Sequence, residues 1–163
     1  VRDGLRYRDL TVDAVMAEAG LARTVFYRHF DGLPAVLLAL LDEVAGRLAD
    51  AVDAGDRDLR GVLEAVVAVY AEHGVLMRAV DEAAHVDDAV RAAYEGVFAG
   101  HVERTVAHLG EGSREVALAL HLMNRHYLIE TLGRDPGLDR EAVVATLWTV
   151  WARTIGAVGG EGG

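Results

Sequence analysis

Residues 11–30 read Thr11-Val-Asp-Ala-Val-Met-Ala-Glu-Ala-Gly20-Leu-Ala-Arg-Thr-Val-Phe-Tyr-Arg-His-Phe30. Thr11 stands where a helix begins, and its hydroxyl can accept from a backbone N–H that has no partner inside the first turn. Asp13 suits the positive end of that helix. Val12, Val15, Met16 and Ala19 recur at helical spacing and predict an apolar face. Gly20 predicts the stop, because glycine enters the left-handed conformation without a Cβ penalty. A second helix is expected over about Arg23–Phe30, with Phe26 and Phe30 one turn apart and packed inward. Arg23, Thr24, Tyr27 and Arg28 fall mainly on its other faces. Helix, glycine-containing turn and short helix make helix-turn-helix spacing, in which the second helix can present its first residues to base edges in a major groove.

Outward from this stretch the chain reads as helices throughout. Asp31-Gly32 breaks the second helix. Pro34 suits the first turn of a third, where its missing N–H has no partner to lose, and that helix is expected to run to about Ala54. Gly55–Asp58 predicts a turn. Helices are then expected at about Leu59–His73, Val75–Ala84 and Asp88–Leu109. After the Gly110-Glu-Gly-Ser113 loop, with Ser113 as N-cap, another reaches Leu132. Gly133-Arg-Asp-Pro-Gly137 is a strong breaker. Asp139 is expected to cap a last helix to about Gly156, and Gly159–Gly163 to form a flexible tail.

The composition supports this reading. Of 163 residues, 52% are hydrophobic and 26% charged, which supplies a core and excludes a disordered acidic chain. There is no cysteine, so disulfides and thiolate chemistry are excluded. No apolar run approaches the ~18 residues needed to span a bilayer, and the start carries no apolar leader, so a cytoplasmic protein is expected. The formal net charge is −10, and every basic residue is arginine. Residues 1–30 carry +1 and the rest −11. That polarity disfavours coating of the whole surface by nucleic acid but allows one local contact through the head.

The motif Gly20-Leu-Ala-Arg-Thr-Val-Phe-Tyr-Arg-His-Phe30, followed by Asp31-Gly32 and a leucine-rich helix, resembles the TetR family of bacterial repressors. A second likeness lies in Leu118-Ala-Leu-His-Leu-Met-Asn-Arg-His126 and Ala145-Thr-Leu-Trp-Thr-Val-Trp151. These are similar to the ethionamide-repressor (EthR-like) branch, whose body binds apolar effectors. The resemblance implies an all-α, TetR-like fold with a helix-turn-helix head over residues 1–33, a ligand-binding and dimerisation bundle over 34–158, and a tail over 159–163. It implies that Thr11, Tyr27 and His29 contact phosphates, and that Arg23, Thr24, Val25 and Arg28 face base edges. An arginine bidentate to guanine contributes ~1–3 kcal/mol of base discrimination, whereas phosphate contacts set register. Leu33 stands where the family usually has a lysine. The family also places a full helix before the helix-turn-helix, whereas ten residues precede Thr11 here and read as that helix's exit, so the head is expected to be incomplete at its N-terminus.

The body offers aromatic faces for a pocket. Tyr94, Phe98, His101 and Thr105 share one face of their helix, as do His121, Asn124 and Leu128 on the next, and Trp148, Trp151 and Ile155 on the last; Tyr70 lies on an apolar face of its own. Apolar pockets are lined this way, with a few placed polar groups, although such a stripe also serves as ordinary core. The resemblance implicates Asn124 as a hydrogen-bonding anchor, Thr105 as a polar wall, and Trp151 and Tyr94 as aromatic walls. The alternative for Asn124 is a helix-to-helix hydrogen bond, since a buried amide needs a partner.

Other chemistries find little support. His101/His108 and His121/His126 lack the one-turn spacing of a zinc helix, and no metal or cofactor is expected. No nucleophile with its base is legible, and Ser113 is the sole serine, so no enzyme is expected. Leu118, Leu122, Leu132, Val143, Leu147 and Val150 surround the last two helices in excess of one bundle face and predict a homodimer there. A twofold dimer matches palindromic double-stranded operator DNA. The sequence therefore suggests a repressor released by a small apolar effector. The alternative is a helical ligand-binding module that has lost DNA regulation.

Overall fold

The structure, a computed structural model, describes residues 6–53 and 58–160. Among these residues there are seven α-helices and no strand. Positions 55–57 of the expected turn and 161–163 of the expected tail lie outside the described residues, whereas Gly159 and Gly160 continue the last helix.

A 3-10 turn, Tyr7–Asp9, leads into α1, Val12–Glu18. Thr11 caps α1 by accepting from the Ala14 N–H at 3.1 Å, and Gly20 follows at φ +67°, the left-handed stop. The next helix, α2, is much shorter than expected, Arg23–Phe26. Ala22 offers its first turn no side-chain acceptor, and β-branched Thr24 and Val25 favour helix weakly. Arg28 and His29 then donate to carbonyls three residues back, Val25 and Phe26, which tightens the chain into a turn. In α1 only Met16 is buried; Val12 and Val15 are half-buried and Ala19 is exposed, against expectation. Met16 and Phe26 form the head's small interior, with the Phe30 ring 5.7 Å from that of Phe26.

The body comprises α3 (Leu33–Asp53), α4 (Leu59–Ala84), α5 (Asp88–Leu109), α6 (Arg114–Glu130) and α7 (Arg140–Gly160). Leu37, Leu41, Val44 and Leu48 bury one stripe of α3. That stripe packs on α4, which also contacts α5, α6 and α7 and so forms the axis of the bundle. Asp58 caps α4 through the Gly61 N–H at 2.8 Å, and Asp87 caps α5 through the Val90 N–H at 2.9 Å.

The two helices expected over 59–84 are one. Gly74 lies inside α4, where a Cβ would stand 2.9 Å from the carbonyl carbon and oxygen of Leu132. The glycine serves close backbone approach to the loop after α6, and an unbroken run of helical neighbours carries the helix across it. Gly133 completes this contact, since its Cβ would meet the Ile129 carbonyl oxygen and lie 3.0 Å from that of Gly74.

Ser113 sits at the N-cap position of α6 without capping it; its hydroxyl donates to the Gly110 carbonyl at 2.6 Å instead. Asp139 does cap α7, accepting from the Glu141 N–H at 3.0 Å. Leu132, Val143 and Leu147, expected at the surface, are buried in the main core: α7 turns Val143 and Leu147 toward α4, and Leu132 lies in the loop after α6 whose backbone meets Gly74 of α4. Leu118, Leu122 and Val150 are exposed.

Candidate functional site

The head presents most of the expected DNA-contacting set to solvent. Thr11, Arg23, Thr24, Tyr27, Arg28 and His29 are exposed, and Val25 is half-buried. Two of these groups already have partners. The Thr11 hydroxyl serves as the α1 cap. Arg23 donates through Nη1 to both carboxylate oxygens of Asp13 at 3.1 and 3.0 Å, and through Nη2 to the Tyr27 hydroxyl at 3.3 Å. Its guanidinium also lies 5.4 Å from the centre of the Tyr27 ring. This clamp joins α1 to α2 and holds Arg23 at the exposed start of the short helix. The sequence reading assigned Asp13 to the helix dipole and missed its pairing with Arg23 ten residues on.

The head is also tied to the body. The Tyr7 N–H donates to Glu82 Oε2 at 2.8 Å, and the Tyr7 side chain packs against the main core. Nothing in the sequence signals this pairing across 75 positions.

Within the body, residues of α3 to α7 line a partly open cavity of about 740 Å³, well inside the ~300–1,000 Å³ range of small-molecule sites. Tyr70, Tyr94, Phe98, His101, Thr105, His121, Asn124 and Trp151 all line it. Trp148 does not line it and is 41% exposed. The reason is helical: one residue past buried Leu147 the side chain has turned about 100°. Aliphatic groups from α3 and the first half of α4, including Leu48, Val52, Leu63 and Val66, form the apolar wall.

The polar groups are arranged in pairs. Trp151 Nε1 donates to Asn124 Oδ1 at 2.8 Å, so the buried amide joins α6 to α7 as the alternative reading required. The same amide still borders the cavity. Thr105 Oγ1 and His121 Nε2 lie 2.8 Å apart, joining α5 to α6. The His121 ring stacks 6.3 Å from His101 and meets Trp151 edge-on at 5.3 Å. Burial, and after it the neighbouring His101, push the His121 pKa down to about 4, so the imidazole is neutral near pH 7. Burial raises Tyr70 to about 12 and Tyr94 further still. Both hydroxyls therefore keep their protons and are donors. That of Tyr94 is buried with no hydrogen-bond partner among the described residues.

Sequence reasoning missed Arg125. Its guanidinium lies 5.3 Å from the Tyr94 ring centre and 4.8 Å from that of Phe98, and it borders the cavity. The signal was present: Arg125 follows Asn124 on a helix whose neighbouring turns face inward. Among the described residues no aspartate or glutamate borders the cavity. Among the same residues no three His, Asp or Glu side chains gather as a metal site, and no helix is long and apolar enough to cross a membrane.

A helix-turn-helix head on an all-helical body with an apolar cavity defines a TetR-like regulator. Residues 59–157 match the family described as "Transcriptional regulator EthR, C-terminal domain". The chain is 26% identical over 170 residues to the "HTH-type transcriptional regulator EthR" of Mycolicibacterium smegmatis, covering 92% of this chain and 78% of that protein. It is equally identical, over 168 residues, to the regulator of the same name from Mycobacterium tuberculosis strain H37Rv, covering 90% and 78%. The chain belongs to the EthR family of TetR-like transcriptional regulators.

Proposed function

We propose that this regulator is a ligand-responsive repressor that binds a palindromic operator as a homodimer and leaves it when a small, largely apolar effector fills the body cavity. The observation that carries the reading is the 740 Å³ cavity walled by α3 to α7 in a chain whose head displays a helix-turn-helix. Arg23, Thr24, Val25 and Arg28 face base edges, while Thr11, Tyr27 and His29 contact phosphates. Leu118, Leu122, Trp148 and Val150, exposed on α6 and α7, supply the apolar material for a dimer interface.

The effector acts through α4. This helix lines the cavity with Leu63, Tyr70 and Met77 and holds the Tyr7 backbone through Glu82. An occupant that fits better when α4 is displaced favours the arrangement in which the two heads no longer match successive major grooves. The ligand shifts the equilibrium only by its differential affinity for the two arrangements.

The test is a salt-titrated fluorescence-anisotropy assay against the DNA flanking the gene. Saturable binding that competitor DNA does not remove is expected, and Arg23→Ala should weaken specific binding by about tenfold or more while changing non-specific binding little. Equal loss on both would remove Arg23 from base reading. The second reading, a ligand-binding module without DNA regulation, draws on the engagement of Arg23 by Asp13 and Tyr27. Weak, steeply salt-dependent binding to any duplex would favour it.

A further inference from the structure

We infer that the occupant of the body cavity is an amphipathic carboxylic acid, with its hydrocarbon chain along the aliphatic wall of α3 and α4 and its carboxylate against Arg125 and the hydroxyls of Tyr94 and Tyr70. This rests on the ligand-binding reading above and names the chemistry of that ligand.

Three observations carry it. The first is the sign of the lining. The chain holds 26 acidic residues against 16 basic ones, yet among the described residues the cavity borders on Arg104 and Arg125 and on no carboxylate. The second is the state of Arg125. It is stacked on Phe98 and Tyr94, and among the described residues it forms no ion pair within 4 Å. Stacking engages the face of a guanidinium and leaves its in-plane N–H donors for a planar, two-oxygen acceptor, which a carboxylate matches. The carboxylate that acts electrostatically on Tyr70 and Tyr94 is Asp81 of α4, which does not border the cavity. The third is the Tyr94 hydroxyl. The residue is only 5% exposed, and its Oη has no partner among the described residues. A buried donor left unpaired is costly; the Tyr94 ring lines the cavity, and a small turn of it toward the occupant brings the hydroxyl, which is sealed from the void here, to an acceptor. Burial keeps both tyrosines protonated, as donors to an anion rather than competitors with it.

The alternative is that Arg125 only covers two rings and the occupant is neutral. Isothermal titration calorimetry of the full chain separates the two. The probes are octanoate, decanoate, dodecanoate and myristate, each beside the primary alcohol of equal length, at low salt. The expected result is a preference for the acid of about tenfold or more at the best chain length, the scale of one charge-assisted hydrogen bond. Arg125→Gln should erase that preference while leaving alcohol affinity in place, and Arg125→Lys should retain part of it. Tyr94→Phe should weaken the acid severalfold, with circular dichroism verifying that each variant keeps its helices. Equal affinity of wild-type protein for acid and alcohol, or a preference that survives Arg125→Gln, overturns the carboxylate assignment and leaves the cavity a neutral apolar site. If neither series binds at any length, the ligand-binding reading fails, and this inference fails with it.

Discussion

His121 illustrates how a single buried side chain ties the cavity to solution conditions. Its ring pairs with Thr105 Oγ1 and is held neutral, with a pKa of about 4 set by burial and by His101. An unfolded histidine titrates near ~6.5. Between these values the unfolded chain takes up a proton that the folded chain refuses, so stability falls as pH drops from about 6.5 toward 4 and is unaffected by this group above that window. The slope approaches ~1.4 kcal/mol per pH unit in mid-window. Urea titrations at stepped pH should show His121→Gln losing less stability than wild type across that range; parallel curves would refute the assignment. Arg23 makes a second case. Its carboxylate partner Asp13 stands beside the surface proposed to face DNA. Asp13→Ala is expected to tighten binding to any duplex by a few-fold, since exposed ion pairs are worth only ~0.2–1 kcal/mol to the fold. Anisotropy with random-sequence DNA would measure it.

Among the elements, α4 shows where local pattern and tertiary contact part. Read by itself, Gly74 is a helix breaker and its replacement by alanine should gain ~1 kcal/mol of propensity. In the bundle it is the point of closest approach to Leu132 and Gly133, with a would-be Cβ 2.9 Å from backbone atoms. Backbone cannot step aside as a flexible side chain can. Gly74→Ala is therefore expected to destabilise by ~1–3 kcal/mol net, as overpacking does, and to lower Tm by several degrees. A raised Tm in differential scanning calorimetry would contradict the contact. The same contrast governs α2. Its helical letters extend to Phe30, but without an N-cap side chain and with only Phe26 fully buried, it keeps four helical residues.

For the whole molecule, the outstanding features are a free apolar surface and a link between head and body. Leu122 and Trp148 are 42% and 41% exposed, more than a monomer needs on two neighbouring helices. For the homodimer proposed above, Leu122→Glu with Trp148→Glu is expected to shift the mass from dimer to monomer in light scattering after gel filtration. Operator affinity should fall with it by about a hundredfold, because each half-site is then bound alone. An unchanged mass would refute the interface proposed on α6 and α7. Glu82 accepts from the Tyr7 N–H at 2.8 Å, and Glu82→Ala should leave effector affinity near wild type while reducing the effector's ability to release DNA. Proportional loss of both would make Glu82 part of the cavity's support rather than of the coupling.

The one-dimensional pattern was enough for what depends on neighbours in the chain. Helical periodicity, the caps Thr11 and Asp139, and the left-handed Gly20 are local effects, each set within about one turn. The residue types that line the cavity were legible for the same reason, since an inward stripe repeats every three or four residues. Packing decided the rest. It made α4 continuous across Gly74, buried Leu132, Val143 and Leu147, and turned Trp148 outward one step past Leu147. It closed Asp13 on Arg23 and Glu82 on Tyr7, and it stacked Arg125 on the Tyr94 ring at a cavity that, among the described residues, has no carboxylate. These are pairings between distant positions, and their energies depend on which faces meet and how much water they exclude, which no stretch of the chain contains by itself.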